Sequence, residues 1–305
     1  MDSLNRTLPF GTLVTAMVTP FTEDGAVDFD ATAYLANKLV EDGCDGLVVS
    51  GTTGETSTLE DSEKEDLFRV VAETVGGRAK VIAGTGTNHT SHSVEMARRA
   101  ERAGADGQLV VTPYYNKPTQ AGVLAHFDAV SAATDLPIMI YDIPGRAGIA
   151  LSTSTLIRLA DNPKILALKD AKADFAGITR VLANTTLDVY AGDDGLTLPW
   201  MAAGAVGVVS VSAHIATAQF RALVDAAAAG DFATARRIHF ELDPLIRAVM
   251  THIPGAVSAK QILALQKVIP NAVVRLPLVA PDAIEMEAVY TDLAEAGMDF
   301  SRIGA

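Results

Sequence analysis

Residues 165–170 read Ile165-Leu166-Ala167-Leu168-Lys169-Asp170: four apolar side chains in a row, then a lysine and an aspartate. A continuous apolar run of this length describes a strand covered on both faces, because a half-exposed strand would alternate. Seven more runs of the same kind occupy residues 13–18, 46–50, 80–84, 108–112, 137–141, 188–191 and 206–211. Amphipathic segments of helical period separate most of them, as at 93–103 and 123–132. Successive runs start about 20–35 residues apart, the length of one strand–helix unit. Eight such units predict an α/β fold, a (β/α)8 TIM barrel. The rival is a doubly wound open sheet. It is weakened by the count of eight and by Gly84-Thr85-Gly86-Thr87-Asn88-His89, which lacks the third glycine of a dinucleotide fingerprint.

Beyond the last run the pattern becomes helical only, over 216–229, 233–250, 259–267 and 281–296. The expectation is a barrel of residues 1–230 with a C-terminal α-helical extension, 231–305, packed on it, since no Pro/Gly/Ser-rich linker separates them. The composition is 49% hydrophobic and 20% charged, which excludes a disordered tail or a collagen-like repeat. With 24 Lys+Arg against 37 Asp+Glu the net charge is −13, which argues against nucleic acid and anionic membrane surfaces as partners. Cys44 is the single cysteine and can form no intrachain disulfide, so a cytoplasmic setting fits. The start, residues 1–10, has no apolar core of signal-peptide length, and no run is long enough to span a bilayer.

In a barrel of this kind the chemistry gathers at the C-terminal ends of the strands. Lys169 closes an otherwise apolar run. Desolvation there would lower its pKa and make it a Schiff-base nucleophile; the competing reading is a strand-exit lysine facing solvent or paired with Asp170. Tyr141 closes the preceding run, Pro137-Ile138-Met139-Ile140-Tyr141. It is within reach of Lys169 as a proton donor and acceptor, or it simply packs its ring. Gly51-Thr52-Thr53-Gly54-Glu55 offers hydroxyls and backbone N–H groups to a small carboxylate, or is an ordinary turn. Arg146 is a fork for a second carboxylate or a surface ion-pair partner. Tyr114-Tyr115 is an interface anchor, a loan to a neighbouring subunit's site, or both. The six histidines show neither HxH nor HExxH spacing, so no metal is expected. Asp193-Asp194 reads as a capped turn in preference to a Mg²⁺ site.

Taken together these residues resemble the dihydrodipicolinate synthase family, within the N-acetylneuraminate lyase superfamily of class I aldolases. The likeness runs over nearly the whole chain. It rests on Ala16-Met17-Val18-Thr19-Pro20-Phe21, Gly51-Thr52-Thr53-Gly54-Glu55, Ile82-Ala83-Gly84-Thr85-Gly86 and Val111-Thr112-Pro113-Tyr114-Tyr115-Asn116-Lys117-Pro118. It continues through Tyr141-Asp142-Ile143-Pro144-Gly145-Arg146, Leu168-Lys169-Asp170, Gly192-Asp193-Asp194 and Gly207-Val208-Val209-Ser210-Val211. The resemblance implies a lyase that joins pyruvate, held as a Schiff base on Lys169, to L-aspartate-4-semialdehyde in diaminopimelate and lysine biosynthesis. By the same likeness Tyr141, Thr52 and Tyr115 form the proton relay, with Tyr115 contributed across a subunit interface. Thr53 and Val209 fall at the pyruvate positions, Gly192 lines the site, and Arg146 holds the semialdehyde's carboxylate. No cofactor beyond the covalent Schiff base is implied, and the family is usually homotetrameric.

Two departures stand out. Where family members inhibited by lysine carry His residues after the Gly-Thr-Thr-Gly-Glu loop, this chain has residues 56–64 ending in Lys64, and His92 stands where a carboxylate usually holds the effector's amine; Asn88 and Tyr114 remain. Weak or absent feedback by lysine is therefore expected. Gly255 stands where the family often has Asn. The alternative function is a pyruvate-dependent aldolase acting on a 2-oxo sugar acid, disfavoured by Arg146 and Tyr115. A non-enzymatic barrel would be expected to lack Lys169 or Tyr141.

Overall fold

Eight parallel strands close on themselves in sequential order: β1 (Leu13–Ala16), β2 (Gly46–Val49), β3 (Lys80–Gly84), β4 (Gly107–Val111), β5 (Ile138–Asp142), β6 (Ile165–Asp170), β7 (Asp188–Ala191) and β8 (Gly207–Ser210). The last strand pairs back to the first, Val209 opposite Val14. Each falls within a residue or two of an apolar run read from the sequence. The computed structural model describes residues 8–298. Residues 1–7 of the expected barrel, with most of the start read above, and 299–305 of the expected extension lie outside the described residues.

Helices α1 (Phe29–Glu41), α2 (Asp61–Val75), α3 (Thr90–Arg102) and α4 (Gln120–Ser131) follow the first four strands. The short α5 (Pro144–Ala147) and α6 (Thr153–Leu159) follow β5, and α7 (Phe175–Asn184), α8 (Thr197–Ala203) and α9 (Ala213–Ala228) follow β6, β7 and β8. Side-chain oxygens start several of them: Asp28 accepts from Ala31 N–H, Thr119 from Gly122 N–H, and Asp174 from Gly177 N–H. The helical tail comprises α10 (Phe232–Met250), α11 (Gly255–Leu265) and α12 (Ala283–Glu295). α10 packs on α9, α8 and α12, and α11 packs on α9 and α10. The sequence pattern placed the start of α11 four residues late, at 259; here Pro254 is the cap and Gly255 opens the helix, where a proline costs no hydrogen bond.

The strands separate two apolar layers. Inside the barrel lie Phe10, Val14, Ala16, Val48, Ile82, Leu109, Met139, Tyr141, Ala167, Tyr190 and Val209. Leu13, Leu47, Val81, Val110, Ile140, Leu168 and Val189 face outward into the larger layer beneath the helices. Phe10 seals the bottom, and the Tyr190 hydroxyl donates to Gly11 O across the interior at 2.6 Å. Two glycines make closure possible. A Cβ on Gly207 would sit 1.8 Å from Thr12 O at the β8–β1 seam, and one on Gly84 would sit 2.1 Å from Ser50 O. Strand pairing at these points needs backbone where any side chain would be.

Gly207→Ala should therefore strain the seam itself. The expected loss is about 1–3 kcal/mol of unfolding free energy, read by denaturant titration. Gly145→Ala, where an added Cβ meets nothing within 4 Å, is the control and should change stability little.

Candidate active site

Which way a strand residue points is set by alternation, and in β6 the alternation is broken. Ile138 pairs with Ile165, but the next residue, Met139, pairs with Ala167, leaving Leu166 as an extra residue. Ile165 lies in the outer layer, whereas Leu166 and Ala167 both pack on the interior. This bulge resets the strand so that Leu168 points out and Lys169 points in.

Lys169 sits opposite Tyr141 in the ladder, and its Nζ lies 4.3 Å from the centre of the Tyr141 ring. Both side chains are buried. Burial drives the Lys169 amine down to about 8; the Asp194 carboxylate opposes that shift and the Arg146 guanidinium adds to it. Burial pushes the Tyr141 phenol up to about 12, against Arg146 and a hydrogen bond with the Thr52 side chain. Lys169 makes no ion pair among the described residues. Asp170, the competing partner, points the other way: its carboxylate accepts from Trp200 Nε1 at 2.9 Å and from Lys172 N at 3.1 Å. The solvent-facing reading of Lys169 is thus set aside.

Above the pair opens a cavity of about 340 Å³, within the usual range for a small-molecule site. Thr52, Thr53, Tyr141, Arg146, Lys169 and Gly192 line it, so six of the eight residues expected from the sequence meet in one place. Val209 lies deeper, in the interior cluster that includes Tyr141. Tyr115 is not brought in: it is 87% exposed, at φ +72°, with its N–H donating to Ala147 O at 3.2 Å. A hollow around Asp45 and Arg221 contains none of the expected residues.

Of what the helical tail contributes, the sequence reading singles out only Gly255. Met250, Pro254, Gly255, Pro277 and Leu278 complete the cavity wall. The tail is also tied to the Thr52-Thr53 loop. Lys260 Nζ, fully buried, donates to Glu55 Oε1 and to Val273 O, and sits 3.9 Å over the Phe21 ring. Burial lowers Lys260 to about 8 against the pull of Glu55. Arg275 N donates to the other Glu55 oxygen at 2.9 Å, and the Arg275 guanidinium holds both oxygens of Glu63. A signal existed: Lys260 is the lone charge in Gly255–Leu265, just as Lys169 is the lone cation in its strand. Gly255 also has a local reason, since a Cβ there would press to 3.0 Å of Met250 Sδ.

Asp142 and Asp170 face each other across the outer side of β5 and β6. Burial pushes Asp142 up to about 7, with a hydrogen bond from Leu151 N and the charge of Lys172 opposing. Asp193 caps its own turn, accepting from Gly195 N at 3.0 Å. His92 Nε2 lies 2.9 Å from Asp61, with Lys64 at 3.7 Å. The patch read above as short of an acid therefore holds one, already engaged by two cationic or basic partners. Burial raises Asp61, but His92 and Lys64 outweigh it and leave the carboxyl below its usual range. Among the described residues no group of three or more His, Cys, Asp or Glu side chains could hold a metal ion, and no helix is long and apolar enough to cross a membrane.

Residues 9–296 match the dihydrodipicolinate synthetase family. The 4-hydroxy-tetrahydrodipicolinate synthase of Kineococcus radiotolerans is 53% identical over 290 residues, 95% of this chain and 94% of that one. The 4-hydroxy-tetrahydrodipicolinate synthase 2 of Streptomyces coelicolor is 51% identical, covering 95% and 96%. A crystal structure of the Cyanidioschyzon merolae enzyme with lysine bound superposes with a TM-score of 0.92 at 38% identity, over 96% of this chain and all of that one.

Two substitutions test the electrostatics. Lys260→Met leaves the Glu55 carboxylate buried without its cation and should cost about 3–5 kcal/mol in denaturant unfolding, most of it recovered by adding Glu55→Gln. The folded chain holds the Asp142 proton more tightly than the unfolded chain does. The stabilisation this gives is complete below the unfolded value near 3.8 and is lost as pH rises to about 7. Asp142→Asn should therefore raise the melting temperature more at pH 8 than at pH 4; an equal gain at both would show that folding leaves the Asp142 carboxyl unshifted.

Proposed function

The chain belongs to the dihydrodipicolinate synthetase family, and from that membership we propose that it acts as a 4-hydroxy-tetrahydrodipicolinate synthase through Lys169. The observation that carries the assignment of Lys169 is its amine, dehydrated at the cavity floor against the Tyr141 ring. The neutral amine attacks the keto carbon of pyruvate. Tyr141, which keeps its proton at neutral pH, supplies it to the departing hydroxyl; water leaves and an iminium forms. Loss of a methyl proton gives the enamine, whose carbon attacks the aldehyde of L-aspartate-4-semialdehyde. The substrate's own amine then adds to the iminium carbon, expels Lys169 and closes the ring.

The other residues fall into supporting roles. Thr52, through its hydrogen bond with Tyr141, passes the proton toward the loop, and Tyr115 from a neighbouring subunit completes the relay. Its exposure in the single chain supports that assignment. Thr53 and Val209 hold pyruvate, Gly192 lines the site, and Arg146 holds the semialdehyde's carboxylate. The reading extends to a cytoplasmic homotetramer that needs no cofactor and shows weak feedback by lysine. The last point rests on the Asp61–His92–Lys64 cluster, where the carboxylate that would meet a cation is occupied. Residues 1–230 form the catalytic barrel in this reading, and 231–305 an extension that braces the site through Lys260 and Arg275.

Borohydride reduction with pyruvate should add one pyruvate-derived mass to the Lys169 peptide, and Lys169→Ala should abolish it; an adduct on another lysine would refute the assignment. The rate of trapping should rise as pH passes through about 8, because the attacking form is the free amine. Tyr141→Phe should lower kcat by about 10²–10⁴-fold. Turnover with aspartate semialdehyde, compared with a panel of 2-oxo sugar acids, separates the synthase from the aldolase reading.

A further inference from the structure

The turn after β7 contains a second aspartate that the proposed reaction does not use. Asp194 is 2% exposed, two residues past the cavity-lining Gly192. Its Oδ2 accepts from Ser212 N at 2.8 Å and from Val211 N at 3.2 Å. Val211 follows β8 directly and lines the cavity. The same residue is gripped from its other end. His214 Nδ1 lies 2.7 Å from Val211 O, and a carbonyl can only accept, so Nδ1 carries the proton. The opposite nitrogen, Nε2, is then bare and accepts from Val18 N at 3.0 Å. His214 is buried and burial holds it neutral, down to about 4, in keeping with this arrangement.

We propose that Asp194 and His214 are positioning residues that clamp Val211 from both sides and so fix the β8 rim against which the oxo acid on Lys169 is held. The clamp ties the ends of β7, β8 and β1 together at the point where the barrel closes. It acts through backbone, since the Val211 N–H and C=O are its grips. What matters to the clamp at residue 194 is therefore a side-chain acceptor in this position; its negative charge acts separately, on the Lys169 amine. The inference rests on the function proposed above, because that reading puts Val209, on the strand that the clamp holds, at the oxo-acid subsite and gives Arg146 to the other substrate.

The test is steady-state kinetics on full-length Asp194→Ala, Asp194→Asn and His214→Ala, with circular dichroism and melting curves as the folding control. Asp194→Ala and His214→Ala should each raise KM for pyruvate at least tenfold and leave KM for the semialdehyde within twofold. Asp194→Asn keeps an acceptor for the two amides and should stay within threefold of the parent in both. A folded alanine variant with unchanged pyruvate KM, or with both KM values raised alike, overturns the clamp. So does a folded Asp194→Asn whose pyruvate KM is raised tenfold or more over the parent, and that arm stands even where both alanine variants fail to fold. Borohydride trapping on the parent keeps the two readings apart. No adduct on Lys169 sinks the function, whereas an adduct with flat variant kinetics sinks only the clamp.

Discussion

An ammonium group pays heavily to leave water, and the protein is organised around making one do so. Lys169 can be dehydrated only because eight strands close completely around it and leave no edge for solvent to enter. Closure in turn depends on backbone meeting backbone at the β8–β1 seam, where Gly207 lies against Thr12, and on Phe10 filling the bottom of the barrel. Without that seal the amine would be hydrated and its free form far scarcer at neutral pH. The same dehydration acts on Tyr141 in the opposite chemical sense, retaining its proton. One environment thus makes the amine easier to free and the phenol harder to ionise, side by side on adjacent strands.

The charge of the chain is distributed to suit this. A net charge of −13 would repel carboxylates if it were spread evenly. In the cavity, however, Arg146 and Lys169 face the opening, and the Glu55 carboxylate on its wall is neutralised by Lys260. The acids nearest the chemistry are turned away or engaged. Asp142 and Asp170 point into the outer layer, and Asp194 is spent on backbone amides. The global charge therefore describes the surface, and the site has its own electrostatics.

The helical tail is more than a brace on the outside. Its residues form one wall of the cavity, and Lys260 and Arg275 reach back to Glu55 and Glu63 on either side of the loop and first turn that follow Thr52 and Thr53. The local sequence around Gly255–Leu265 reports this only in part. A lone lysine in an apolar helix announces burial, but its partner is 205 residues away in the chain. The same holds for Asp194 and His214, whose shared target is backbone and leaves no compositional trace. Side chains that act through amides and carbonyls are invisible to a reading based on residue types.

The sequence by itself determined the barrel, because eight both-face-buried strands at regular intervals admit few other solutions. It also pointed to most of the residues that line the candidate cavity, because a lysine, a tyrosine and an arginine at strand ends are chemically conspicuous among apolar neighbours. It could not determine which way Lys169 points. Counted by alternation from Ile165, which faces out, Lys169 would face the helices; the bulge at Leu166 reverses that. Whether a strand takes an extra residue depends on how its neighbour pairs with it, and that is settled only when β5 and β6 meet. Tertiary structure decided the direction of one side chain, and with it whether the amine lies in the cavity or behind it.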